Sequence, residues 1–225
     1  MNKIRLNILN PLLFKGIFFI FVCLTFILLY SCKNPQDIEE NIIKVPVNND
    51  TLNMNGIKPF ITGTSWTYLV KKYDSNANLT SDSVLLVTLK KDTVIDSLRW
   101  YKTSSEPDFW QTNHTDGLRF RQYITGSPLI EWLEAKYPAM VGYKWQKPSA
   151  QVTVISSDTS KNVTAGNFKC YLYYEIISIG SYFDFKNSFY CPKIGLIYSE
   201  YITGNSGGTK YISETRELIA YKIGN

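Results

Sequence analysis

The chain has 225 residues, a formal net charge of +5, 15% aromatic residues and a single His. The positive surplus lies in the first 31 residues, which carry Lys3, Arg5 and Lys15 and no acid; removing those three leaves 21 Lys and Arg against 19 Asp and Glu, a net of +2. No basic cluster survives that would serve nucleic acid, which excludes that class of partner.

Residues 1–31 have the layout of a signal peptide, with a basic head, fourteen uncharged residues (17–30) and a small residue before the cut. The apolar run falls short of the about 20 residues that a spanning helix needs. The tetrad Leu29-Tyr30-Ser31-Cys32 resembles the lipobox of bacterial lipoproteins, with an aliphatic residue first, a small one third and then the obligatory Cys; Tyr30 is bulkier than usual. The resemblance implies that Cys32 is lipidated, carries palmitate-type acyl chains and tethers the chain to a membrane, as two or more acyl chains do stably. Asp37, Glu39 and Glu40 resemble the surface-export signal of Bacteroidota lipoproteins and equally suit a solvated linker. The expected location is the cell envelope, anchored at the outer membrane on its periplasmic or outer face.

Residues 32–58 lack periodicity and are rich in Asn, Pro and acids, which predicts a flexible spacer with a reach of about 28 Å. IIKVPV within it has the makings of an edge strand. Residues 59–225 are then one domain, long enough for a real core. Short aromatic and β-branched runs at about 65–73, 83–90, 93–103, 108–112, 117–124, 143–146, 151–157, 168–179, 182–191, 194–203 and 209–222 are separated by turn residues. This predicts an all-β, mainly antiparallel domain, a single curved sheet, half-barrel or barrel. Predicted turns include Lys91-Asp92, Thr115-Asp116-Gly117 and Gly180-Ser181. The segment SPLIEWLEAKY, residues 127–137, is the exception: Ser127 can cap, Pro128 suits a first helical position, and Leu129, Trp132 and Leu133 recur at helical spacing. A short helix or lid near 128–137 is expected, with an irregular strand as the alternative.

A two-residue turn at Gly180-Ser181 sets a register in which residue i of the hairpin 168–191 faces residue 361−i. Tyr171 then faces Tyr190, Glu175 faces Lys186 and Cys170 faces Cys191. One face collects Cys170, Leu172, Tyr174, Ile176, Phe183, Phe185, Phe189 and Cys191, and the other is mostly polar. Cys170 and Cys191 fall on a non-hydrogen-bonded pair, the closer kind, so a disulfide is expected in an oxidising compartment.

Evidence for chemistry is thin. His114 lies in NHTDG, a turn sequence, and with one His and two Cys in the mature domain no four-ligand zinc set can be built. Gly204-Asn205-Ser206-Gly207-Gly208 spells GxSxG, but a strand follows it and no His lies beyond position 114, so a nucleophile elbow is excluded. Glu131 and Glu134 beside Trp132 would share a helical face and could begin a sugar-cleaving pair, or simply be solvated. Asp82-Ser83-Val84, Asp92-Thr93-Val94, Asp96-Ser97-Leu98 and Asp50-Thr51-Leu52 resemble the acceptor of Bacteroidota O-glycosylation and also suit ordinary strand boundaries. No cofactor and no enzymatic activity are expected.

In the C-terminal half, NVTAGNFKCYLYYEI, SFYCPKIGLIYSEYI and KYISETRELIAY together resemble a strand succession of envelope lipoproteins related to half-barrel carriers of the LolA/LppX type. Gly195 in it marks a bulge or a tight approach. The resemblance implies a curved sheet around an apolar cavity, residues 127–137 as lid, and Trp66, Trp100, Trp110, Trp132 and Trp145 as walls, although core packing suits each Trp as well. It favours binding of a hydrophobic ligand or lipid. A surface module that binds glycan or an envelope protein through exposed aromatics is the alternative, and a carboxylate hydrolase stands behind both.

Overall fold

Aromatic and β-branched residues alternate with polar ones from Ser65 onward, and the chain answers with twelve strands: β1 (Ser65–Tyr73), β2 (Leu79–Ile95), β3 (Leu98–Thr103), β4 (Phe109–His114), β5 (Gly117–Gln122), β6 (Ile130–Lys136), β7 (Lys144–Lys147), β8 (Ala150–Val163), β9 (Gly166–Ile179), β10 (Tyr182–Cys191), β11 (Gly195–Gly204) and β12 (Lys210–Lys222). The structure is a computed structural model and describes residues 55–106, 108–122, 129–179, 182–204 and 209–224. Cys32, most of the predicted spacer and residues 180–181 and 205–208 lie outside the described residues.

The strands form one sheet in the order β6-β5-β4-β3-β2-β1-β12-β11-β10-β9-β8-β7. Its pairings are antiparallel. The expected all-β class is what forms: a nearly closed, barrel-shaped sheet in which β1 and β12 join the two halves and β6 and β7 face each other as edges. Side chains bridge that seam. Trp145 Nε1 donates to Leu133 O at 2.9 Å, and the Tyr173 hydroxyl donates to Lys136 O at 2.5 Å. Alternation of direction places the β2–β3, β4–β5, β6–β7, β8–β9 and β10–β11 turns at one end of the barrel, together with both ends of the described chain. The described β1–β2, β3–β4 and β7–β8 turns lie at the other end, the mouth.

Residues 56–60 run into the first end. Ile57 and Phe60 are buried in a core cluster with Tyr101, Leu118, Phe120, Tyr173 and Tyr190. Gly56 O accepts from Lys193 N at 2.9 Å, and Lys58 O accepts from Asn113 Nδ2 at 2.6 Å. A second cluster joins Trp66, Tyr68 and Val70 of β1 to Val87, Ile197, Leu218, Cys170 and Cys191. Gly195 makes the expected tight approach: its φ is 99°, and a Cβ there would press on Lys58 Cγ at 3.2 Å.

Three expectations are corrected. The segment 127–137 is no helix in its described part. Residues 130–136 pair with β5 from Gln122↔Ile130 to Gly117↔Lys136, because ladder partners outweigh helical spacing in so short a stretch. No turn forms at Lys91-Asp92, which continue β2 opposite Lys102 and Tyr101 just past a register shift between Leu89 and Lys91; the chain reverses at Asp96-Ser97, between the pair Ile95↔Leu98. Both turn residues have positive φ, 53° and 63°, as a two-residue hairpin with the sheet's twist requires.

The third correction concerns faces. The β9–β10 register is the expected one, with Tyr171↔Tyr190 and Glu175↔Lys186. Yet the polar face is the one turned into the core: Tyr173, Glu175, Ser188 and Tyr190 are all buried. The apolar face carries Phe183, 57% exposed, and the half-buried Leu172, Tyr174, Ile176 and Phe185. Burial of Tyr173, Glu175 and Ser188 is tolerated because each finds a partner: the Lys136 carbonyl for Tyr173, the Lys147 ammonium for Glu175 and the Glu175 carboxylate for Ser188.

Candidate functional site

The seam between β6 and β7 is closed on one side and open towards the mouth. In the open part lies a cleft of about 320 Å³, lined by Phe109, Ile130, Trp132, Ala150 and Ile177 and by the charged Glu134, Lys147 and Glu175. That volume is at the small end of ligand pockets.

Local geometry explains why the charges point inward. Leu118 pairs with Ala135 and Arg119 with Leu133, so Glu134 is the extra residue of a bulge. A bulge re-aims a side chain, and Glu134 turns to the inner side with Trp132, whose Nε1 donates to its Oε2 at 3.0 Å. Glu131 stays outside, where Arg119 and Arg121 bind it at 3.0 and 2.7 Å. The two acids therefore do not form a pair.

Lys147 Nζ sits between Glu134 Oε1 at 2.9 Å and Glu175 Oε2 at 3.0 Å, all three side chains being almost fully buried. Lys186 approaches Glu175 at 3.9 Å, and Ser188 Oγ donates to it at 3.5 Å. Burial by itself would raise the Glu134 pKa; the charges of Lys147 and Lys186, with hydrogen bonds from Lys147 and Trp132, outweigh it and hold the carboxyl below the usual carboxylate range. Burial would likewise discharge Lys147, but Glu134 and Glu175 raise its pKa. Two carboxylates and two ammonium groups leave the cleft floor neutral and internally satisfied.

Of the five tryptophans, Trp132 lines this cleft. Trp66 is buried in the second core cluster, with Nε1 on Ile194 O at 2.6 Å. Trp100 is fully buried under the Arg121 guanidinium, 4.5 Å from its ring centroid. Trp110 lies beneath Lys102, and Trp145 packs edge-on against Tyr173. His114 ends β4, with Nδ1 3.0 Å from Asp116 Oδ1. Cys170 and Cys191 lie one step beyond Tyr171↔Tyr190, both buried; Cys170 Sγ donates to Phe168 O and Cys191 Sγ to Pro192 O, each at 3.6 Å. They are free thiols, so the expected disulfide is not formed here although the expected juxtaposition is. Lys147 escaped the sequence reading altogether, and Glu175 entered it only as the cross-strand partner of Lys186; the only signal for either as a buried site was charge within strands, which pairs as readily with solvent.

No protein-family model matches the sequence, and no curated protein is significantly similar to it. Two solved structures are similar in fold. One, from Bacteroides fragilis, is described as an exported protein with YmcC-like fold; identity is 15%, the match covers 75% of this chain and 100% of that one, and the TM-score is 0.45. The other, from Parabacteroides distasonis, is described as a lipoprotein; identity is 13%, coverage 75% and 99%, and the TM-score 0.38.

A second cleft, of about 300 Å³, lies on the opposite side of the β7–β8 turn, lined by Pro148, Ser149, Ile176 and Phe183 among others. It borders the outward apolar face of β9 and β10, where the Tyr174 and Phe185 rings stack at 5.9 Å and 13°.

Proposed function

We propose that this chain is a non-enzymatic lipoprotein of the cell envelope, anchored through Cys32, whose barrel holds a small hydrophobic ligand at its mouth. The anchor rests on the leader and lipobox pattern. The binding role rests on one observation, the apolar cleft of about 320 Å³ at the open seam. A non-catalytic role is supported by the floor of that cleft: general acid–base work needs a carboxyl or amine poised to exchange protons near neutrality, whereas Glu134 and Lys147 hold each other charged. In the oxidising envelope, Cys170 and Cys191 would close to a disulfide.

The test is native mass spectrometry of residues 33–225 produced in a periplasm. A lipid-sized adduct that organic solvent releases, and that Trp132→Ala depletes, is the expected result. A clean apo mass under the same conditions would discard the pocket reading. The outward aromatic face around Phe183, Tyr174 and Phe185 favours a second reading, a glycan- or protein-binding surface. Phe183→Ser would abolish that binding and leave the adduct untouched.

A further inference from the structure

The β6–β7 connection reads Lys136-Tyr137-Pro138-Ala139-Met140-Val141-Gly142-Tyr143-Lys144, an apolar tip flanked on each side by Tyr and then Lys. Met140 is 78% exposed and Val141 62%, the highest and fourth-highest values among the large exposed apolar side chains of the described residues. A compact protein in water has no use for two adjacent side chains held out in this way.

The tip is built rather than loose. Tyr137 N donates to Asp116 O at 3.1 Å, Tyr143 N to Met140 O at 3.1 Å, Gly142 N to Val154 O at 2.8 Å, and Val154 N to Tyr143 O at 3.0 Å. The Tyr137 ring meets Tyr171 edge-on, and Ala139 packs on the core. Both legs of the loop are thus pinned, and Met140 and Val141 project from a fixed turn.

The loop also lies at a telling end. Alternating strand direction puts it at the same end of the barrel as residues 55–58, the end from which 22 residues lead back to Cys32. A spacer of that length has a reach of about 26 Å, so an anchored barrel can bring this end to the bilayer. Lys136 and Lys144 flank the loop, Lys193 and Lys222 lie at the same end of the barrel, and Lys136 Nζ sits 5.7 Å from the Tyr143 ring centroid. The nearby acids are engaged elsewhere: Asp116 pairs with Arg119 and Asp96 with Arg121.

We propose that the 136–144 loop is a membrane-contact element: Met140 and Val141 enter the bilayer that holds the Cys32 acyl chains, Tyr137 and Tyr143 sit at its interface, and the lysines face anionic headgroups. Apolar tip, interfacial aromatic and outlying lysine are the depth order a bilayer surface imposes. Docking this end turns the mouth, with its cleft, away from the membrane.

The proposal rests on the anchored reading of Cys32, and the test separates the two. The mature lipidated chain is reconstituted in vesicles of phosphatidylethanolamine and phosphatidylglycerol, with an environment-sensitive nitrobenzoxadiazole dye at Val141→Cys or, as control, at Val84→Cys on β2 near the mouth. Flotation with the vesicles, lost in Cys32→Ser at working salt, tests the anchor alone. Given flotation, the dye at position 141 should brighten and be quenched by lipid-borne nitroxide, while the dye at position 84 stays aqueous. An aqueous signal at 141, or equal quenching at both positions, overturns the contact proposal and leaves the anchor standing. Independently, the unlipidated Cys32→Ser chain should bind these vesicles weakly, and Met140→Ser with Val141→Ser should weaken that binding about tenfold or more; unchanged binding also overturns it.

Discussion

Glu134 on β6 and Lys147 on β7 meet at 2.9 Å across the one junction of the barrel where neighbouring strands share no ladder. The bond does what backbone pairing does elsewhere, and it does so at the bottom of the cleft. Removing Lys147 would leave Glu134 and Glu175 buried together without their shared cation. Lys147→Met is therefore expected to destabilise the domain by about 3–5 kcal/mol. Urea unfolding of the two proteins, compared at equal slope, measures the difference; a change below 1 kcal/mol would mean that the seam does not depend on the pair.

The pH response follows from the same group. The folded-state pKa of Glu134 is depressed, so its contribution is present above the unfolded carboxylate pKa of about 4.3 and is lost as pH falls through the folded value. Stability should decline on acidification below about pH 5, and Glu134→Gln should flatten that decline while lowering stability at neutrality. Identical acid limbs for both proteins would rule out Glu134 as the source.

Cys170 and Cys191 offer a redox test. The Cys191 thiol beside it, then burial, raise the Cys170 thiol, which makes Cys170 slow towards alkylating agents, whereas the same contact lowers Cys191 and leaves it the more reactive of the two. Chain exported to the periplasm should weigh two hydrogens less than chain made in the cytosol, and closure should contribute about 3 kcal/mol. Equal masses would show that the pair stays reduced.

Gly117 opens β5 at φ 137°, and a Cβ there would collide with Ala135 O of β6. Gly117→Ala should cost more than about 1 kcal/mol, through both backbone strain and loss of β5–β6 approach. Thermal unfolding reports it, and a neutral result would mean that the strands separate freely at this point.

Much of the strand succession was legible because a strand needs only local information: alternation, β-branched and aromatic residues, and Gly, Asn and Asp at reversals. The β9–β10 register followed from one turn length, and Tyr171↔Tyr190 and Glu175↔Lys186 obey it. The reversal at Asp96-Ser97 was missed because its signal, two non-glycine residues at positive φ, differs little from the neighbouring Lys91-Asp92. The helix expected over 127–137 failed because three apolar positions at helical spacing cannot outweigh a β5 ladder that no local window contains.

What the sequence by itself determined is the strand alphabet of the domain. Which face of each strand looks inward was decided only by closure. The mostly polar face of β9 and β10 goes inside because Lys147 of β7, distant in sequence from both, supplies the cation that a buried Glu175 requires. A sequence window cannot see that partner: the cost of burying a carboxylate is set by what stands within about 4 Å of it, and that neighbourhood exists only once the seam has formed.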